Sequence, residues 1–158
     1  MPHLVILYTP NLDQALDQGG SDMSALCRAL ADTMLAQRDD ADNAVFPAGG
    51  VRVLAYPAAH FAVADGGEHG GPMGHAAGYT GTNAGYAFVY LNLRMGRGRS
   101  AAVHARLGAA LESCAKAHFA DQLAKRPMGV TLQIDEGPEV FDAKNSSLHP
   151  LFNPTKKN

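Results

Sequence analysis

Tyr86-Ala87-Phe88-Val89-Tyr90-Leu91-Asn92-Leu93 reads as a strong β-strand, and its continuation into a capped helix decides the fold. Past Gly96-Arg97-Gly98-Arg99, Ser100 is placed to cap a long helix running to about Lys125. Val103, Leu107, Leu111, Cys114 and Phe119 supply its apolar positions close to one face. Pro127 ends the helix, and Met128 to Ile134 makes another strand. The same order occurs earlier in the chain. His3 to Tyr8 reads as a strand, and Ser21 or Asp22 caps a helix to about Gln37 with Met23, Leu26, Cys27, Leu30 and Met34 on one face. A turn containing Pro47, Gly49 and Gly50 then leads to a strand from Val51 to Tyr56, stopped by Pro57.

Strand–helix–strand thus occurs twice at an offset of roughly 80 residues, and each crossover is long enough to join parallel strands. The expected architecture is α+β: two β-α-β units forming a four-stranded mixed sheet with two helices on one face. The whole of 1–158 reads as one domain, with pseudo-repeats at 1–60 and 84–138, a Gly-rich insertion loop at 65–85 and a tail at 139–158. One layer of helices leaves a sheet face uncovered. Apolar residues on alternate strand positions there make oligomerisation a way to bury it.

Composition excludes several classes of partner. The formal net charge is −2, so no broad basic surface recommends nucleic acid or membrane. No apolar run approaches the ~18 residues a bilayer span needs, and the first residues lack the pattern of a secretory signal. Cys27 and Cys114 are far apart, match no zinc or redox spacing, and read as reduced core thiols of a cytoplasmic protein.

Three places could carry chemistry. Gly96-Arg97-Gly98-Arg99-Ser100 lies between a strand and a helix start, where backbone N–H groups and the helix dipole favour an anion. The alternative is a tight turn with solvated arginines. Arg52 interrupts an apolar strand, so it either meets a partner or lines a cavity, or else simply faces solvent. Pro2 follows Met1, whose removal would leave a secondary amine, a potential general base; otherwise Pro2 merely opens an edge strand. If Met1 were retained, Pro2 would be an amide and could not act as a base. Around His60, His69 and His75, the last two in the Gly-rich loop, no adjacent Cys or carboxylate pattern completes a metal-ligand set, so no metal site is expected. His104 and His118 read as surface or packing residues, and Asp135 and Glu136 as solvated turn carboxylates.

Taken together, Met1-Pro2-His3, Phe46-Pro47, Gly50-Val51-Arg52, Tyr86-Ala87-Phe88-Val89 and Gly96-Arg97-Gly98-Arg99-Ser100 resemble the tautomerase superfamily. Within it they resemble the 5-carboxymethyl-2-hydroxymuconate Δ-isomerase family, which the tail residues Asn145, His149, Leu151 and Phe152 also match. The resemblance implies an isomerase that needs no metal or other cofactor. In it Pro2 would be the general base, and Arg52 and Arg99, with Gly98 beside them, would bind a di- or tricarboxylate substrate of the 5-carboxymethyl-2-hydroxymuconate type. It further implies a homotrimer. The loop from Asp65 to Gly85 is longer and richer in glycine than the family pattern. Other branches with this fold and an N-terminal proline act as phenylpyruvate-type tautomerases, hydrating dehalogenases or a decarboxylase. A non-enzymatic trimer binding anions or protein is the remaining alternative.

Overall fold

The computed structural model describes residues 2–65 and 85–137, with 140, 141, 143 and 145–152. It contains strands β1 (His3–Tyr8), β2 (Arg52–Pro57), β3 (Ala87–Gly96) and β4 (Met128–Gly137). The helices are α1 (Met23–Ala36), α2 (Ala101–His118), α3 (Ala120–Lys125) and the four-residue α4 (His149–Phe152). The strands form one sheet in the order β2-β1-β3-β4. β1 runs parallel to β2, β3 runs parallel to β4, and the two pairs meet antiparallel at β1 and β3. This is the doubled β-α-β unit expected, joined into one mixed sheet.

Strand alternation decides which side each residue faces. Leu4, Ile6 and Tyr8 of β1 are buried, as are Ala87, Val89, Leu91, Leu93 and Met95 of β3. They meet Leu26, Leu30 and Met34 of α1 and Val103, Leu107 and Leu111 of α2 in one core. Burying a Leu or Phe side chain stabilises by about 1.5–3 kcal/mol, so this single layer of contacts is the main favourable term. Phe46 enters the core from the loop before β2 and is 1% exposed.

Local boundaries follow from capping. Asp22, rather than Ser21, caps α1: its carboxylate accepts from the Ala25 N–H at 2.8 Å. The Ser100 hydroxyl accepts from the Val103 N–H at 3.3 Å and starts α2. The expected single helix to Lys125 is broken at Phe119 (φ −95°, ψ 13°), where the turn sets a fully buried ring into the core. Pro57 does not stop β2 but closes it. It stands opposite Tyr8 on an edge strand, where a missing N–H is tolerated. β3 and β4 both extend three residues beyond the expected ends, to Gly96 and Gly137, because each continues the other's ladder. Asp135 and Glu136 are therefore strand residues and not turn residues. Asp135 accepts from Asn92 at 2.8 Å, and Glu136 lies 3.5 Å from His104.

The open sheet face is more polar than expected. His3, Val5 and Leu7 of β1 are flanked by Arg52, Leu54 and Tyr56 of β2 and by Tyr90, Asn92 and Arg94 of β3. An exposed apolar row runs through Tyr56 (49%) and Leu7 (47%), with Leu54 (43%) next to it. Residues 66–84, and with them His69 and His75, lie outside the described residues. Among the described residues no helix is long and apolar enough to cross a membrane.

Candidate active site

Strand directions collect the singled-out residues at one end of the sheet. β1 begins at His3, which stands opposite Arg52, the first residue of β2, and opposite Arg94 near the end of β3. Pro2 therefore sits beside the start of β2 and the exit of β3, and that exit continues into Arg97-Gly98-Arg99. Pro2 is buried. A secondary amine removed from water at this position would lose much of the solvation that favours its charged form.

The segment 45–51 ties the arginines to Pro2. At its glycine end, one Arg52 guanidinium nitrogen donates to the carbonyls of Gly49 (2.9 Å) and Val51 (2.8 Å). A Cβ placed on neighbouring Gly50 would lie 3.7 Å from Pro2 Cδ, the ring carbon next to the amine. At the other end, Arg99 donates to Val45 O at 3.1 Å and to Gly96 O at 2.7 Å. Its guanidinium lies 5.2 Å from the centre of the buried Phe46 ring, within cation–π range. The Arg99 Nε is buried and has no hydrogen-bond acceptor among the described residues. An unmet buried donor on a cation costs free energy that an incoming carboxylate could recover. Both arginines are half-buried, and neither is a freely solvated surface charge.

Gly98 has φ +110°, a conformation that disfavours any side chain, and nothing lies within 4 Å of where its Cβ would be. The backbone there is thus open to approach. It borders a cleft of about 460 Å³ lined by Arg97, Arg99, Ser100, Val45, Asp39 and Asp40. The cleft does not include Pro2 or Arg52. Its two carboxylates are already engaged. Asp39 accepts from the Asn43 N–H and, more weakly, the Ala41 N–H, which hold it below the usual carboxylate range, while Asp40 pairs with Arg106 at 2.8 Å.

Two features were not singled out as site residues from sequence. One is the turn Ala48–Gly50, whose carbonyls and missing side chains bring Arg52 and Pro2 together. The other is His149, whose ring lies against that turn. Only its place in the tail motif hinted at a role. Among the described residues no three His, Cys, Asp or Glu side chains gather as a metal site would require.

A four-stranded mixed sheet built from two β-α-β units, with its helices on one face, is the fold of the tautomerase superfamily. The chain belongs to the 5-carboxymethyl-2-hydroxymuconate isomerase family, whose sequence profile matches residues 2–152, and it is an isomerase. It is 24% identical over 152 residues to the 5-carboxymethyl-2-hydroxymuconate Delta-isomerase of Escherichia coli, covering 96% of this chain and 99% of that one. The crystal structure of a 5-carboxymethyl-2-hydroxymuconate delta-isomerase superposes with a TM-score of 0.83 at 53% identity, covering 99% of this chain and 96% of the other. A 5-carboxymethyl-2-hydroxymuconate isomerase from Deinococcus radiodurans R1 superposes with a TM-score of 0.71 at 30% identity, covering 96% and 93%.

Proposed function

We propose that the chain is a cofactor-independent isomerase that moves a proton along an unsaturated oxo- or hydroxy-dicarboxylate or tricarboxylate of the 5-carboxymethyl-2-hydroxymuconate type. Pro2, as a free secondary amine, is the general base. It takes a proton from the carbon between the unsaturated positions, and the bonding electrons pass into the conjugated system as a dienolate. The prolinium then returns the proton to a different carbon, so amine and electron count are restored. Arg52 and Arg99 hold the substrate carboxylates and offset the negative charge that grows on the dienolate oxygen. The Gly98 backbone lies alongside the bound anion. The same guanidiniums and the burial of Pro2 disfavour the ammonium form, so substrate binding and base activation share one cause.

The observation that carries this reading is the meeting of the starts of β1 and β2 with the exit of β3, which assembles Pro2, Arg52 and the Arg99 loop at one end. One core running through both halves supports a single tautomerase-like domain. The exposed Tyr56–Leu7 row supports burial against further copies, as a homotrimer. The two free cysteines fit a reducing cytoplasm.

The test combines mass spectrometry of the N-terminus with ketonisation kinetics. Wild-type protein is expected to begin at Pro2. Pro2→Ala is expected to lose about 10²-fold or more in kcat, and Arg99→Ala to lose about 10²-fold in kcat/KM. Full turnover by protein with a blocked N-terminus would overturn the proposal.

A further inference from the structure

The short helix α4 adds little to the core, since Leu151 and Phe152 are 70% and 55% exposed. It nevertheless packs on the turn Ala48–Gly50, and His149 makes the closest approach. A Cβ on Gly49 would stand 3.0 Å from His149 Nδ1 and 3.1 Å from its Cα. A Cβ on Gly50 would lie 3.7 Å from His149 Cε1 and also 3.7 Å from Pro2 Cδ. Two atoms each that near one point can be separated by no more than twice the distance. The imidazole and the pyrrolidine ring therefore both border the space beside Gly50.

Neither Gly49 nor Gly50 has a positive φ, so backbone conformation does not demand glycine at either position. Space does. At Gly49 the missing side chain leaves the room that His149 occupies, whereas at Gly50 a Cβ would first meet Pro47 Cγ at 3.0 Å. The turn is also held by the Arg52 bond to the Gly49 carbonyl. The turn beside Pro2 is thus contacted both by a strand arginine and by a histidine about a hundred residues further along the chain.

We propose that His149 is a positioning residue of the Pro2 site. Its ring, seated over Gly49 and Gly50, presses the turn against Pro2, sets the direction of the amine and keeps water from it. The inference rests on the reading of Pro2 as the base. A misplaced base forfeits much of the rate while leaving the carboxylate grips of Arg52 and Arg99 in place. Loss of His149 should therefore act on kcat and not on KM. A wetter amine also returns toward its ordinary ammonium form, so it should react more slowly with an acylating reagent near neutral pH.

The experiment uses full-length wild type, His149→Ala, His149→Asn and Gly49→Ala, with Pro2→Ala as reference. Turnover, thermal melting and the rate of Pro2 acylation, followed by the mass of the N-terminal peptide, are measured on each. His149→Ala and Gly49→Ala are expected to lower kcat about tenfold or more, to change KM less than about threefold, and to slow acylation. His149→Asn, which keeps a polar atom near the Nδ1 position, recovers part of both. If His149→Ala does not fold, His149→Asn and Gly49→Ala carry the same comparison. Values of kcat and acylation rate within about twofold of wild type overturn the positioning role. If Pro2→Ala is inactive while the His149 variants are not, that role alone fails; if Pro2→Ala turns over normally, the base assignment falls and this inference with it.

Discussion

His118 packs edge-on against Phe119, with ring centroids 4.9 Å apart and planes at 90°. Its Nε2 is buried without a partner among the described residues. Burial lowers its pKa below the ordinary histidine value, and the charge of Asp22 only partly opposes this. The unfolded chain therefore binds a proton more readily than the folded one. The stability His118 contributes is present above about pH 6.5 and is lost as pH falls through the lower folded value. The melting temperature is expected to drop on acidification from about pH 7 to about pH 5, and His118→Gln should flatten that dependence. An unchanged slope in the variant would remove His118 from the account. Tyr8 shows the opposite displacement. Burial, then its 2.7 Å hydrogen bond to Asp13 and that carboxylate's charge, push its pKa up to about 12. At this scale the two arginines stood out in sequence because a charge inside an apolar strand or after a glycine needs a reason. His149 did not, because its partners Gly49 and Gly50 lie far away in the chain and glycines name no neighbour.

The elements themselves were largely legible, since burial imposes a period of two on strands and about 3.6 on helices. Their ends were less so. Nothing in the residues from Ser100 to Lys125 marks Phe119 as a break, because a buried aromatic at helical spacing looks the same in a continuous helix. β4 outran its apolar stretch because ladder bonds to β3 continue through Arg94, Met95 and Gly96 whatever the side chains are. Between Ser21 and Asp22, the cap was settled by which oxygen reaches the Ala25 N–H, a matter of geometry. Asp22→Ala removes that acceptor and a negative charge from the N-cap of α1. It is expected to destabilise the fold by about 1 kcal/mol in denaturant unfolding. The equivalent change at Ser24, also exposed but outside the capping bond, should cost less. Equal costs would show that the cap contributes nothing.

For the whole molecule, strand alternation points to the right uncovered face but overstates how apolar it is. Leu7 stands between Tyr56 and Tyr90 in one cross-strand row, while Asn92, Gln133 and Asp135 make the β3–β4 side polar. A face of this mixed kind suits contact between copies that also exchange hydrogen bonds. Leu7→Lys places a charge in the middle of the row. Sedimentation is expected to show wild type as a trimer and the variant as a smaller species. A wild-type monomer, or a variant of unchanged mass, would sink the proposed assembly.

The antiparallel join of β1 and β3 relates the two halves by an approximate twofold turn, which sends equivalent positions to opposite ends of the sheet. The place that corresponds to Pro2 is the entry to β3 at Tyr86, reached through a peptide bond and so without an amine. That far end is plugged. Arg126, 6% exposed, reaches back from just before β4 to grip the Gly85 carbonyl at 2.6 Å and 2.9 Å, and Asn11 donates to Tyr86 O at 2.6 Å. The two ends of one pseudo-symmetric sheet thus differ in build: one gathers Pro2, Arg52 and the Arg99 loop, and the other is bolted by Arg126 on the Gly85 carbonyl.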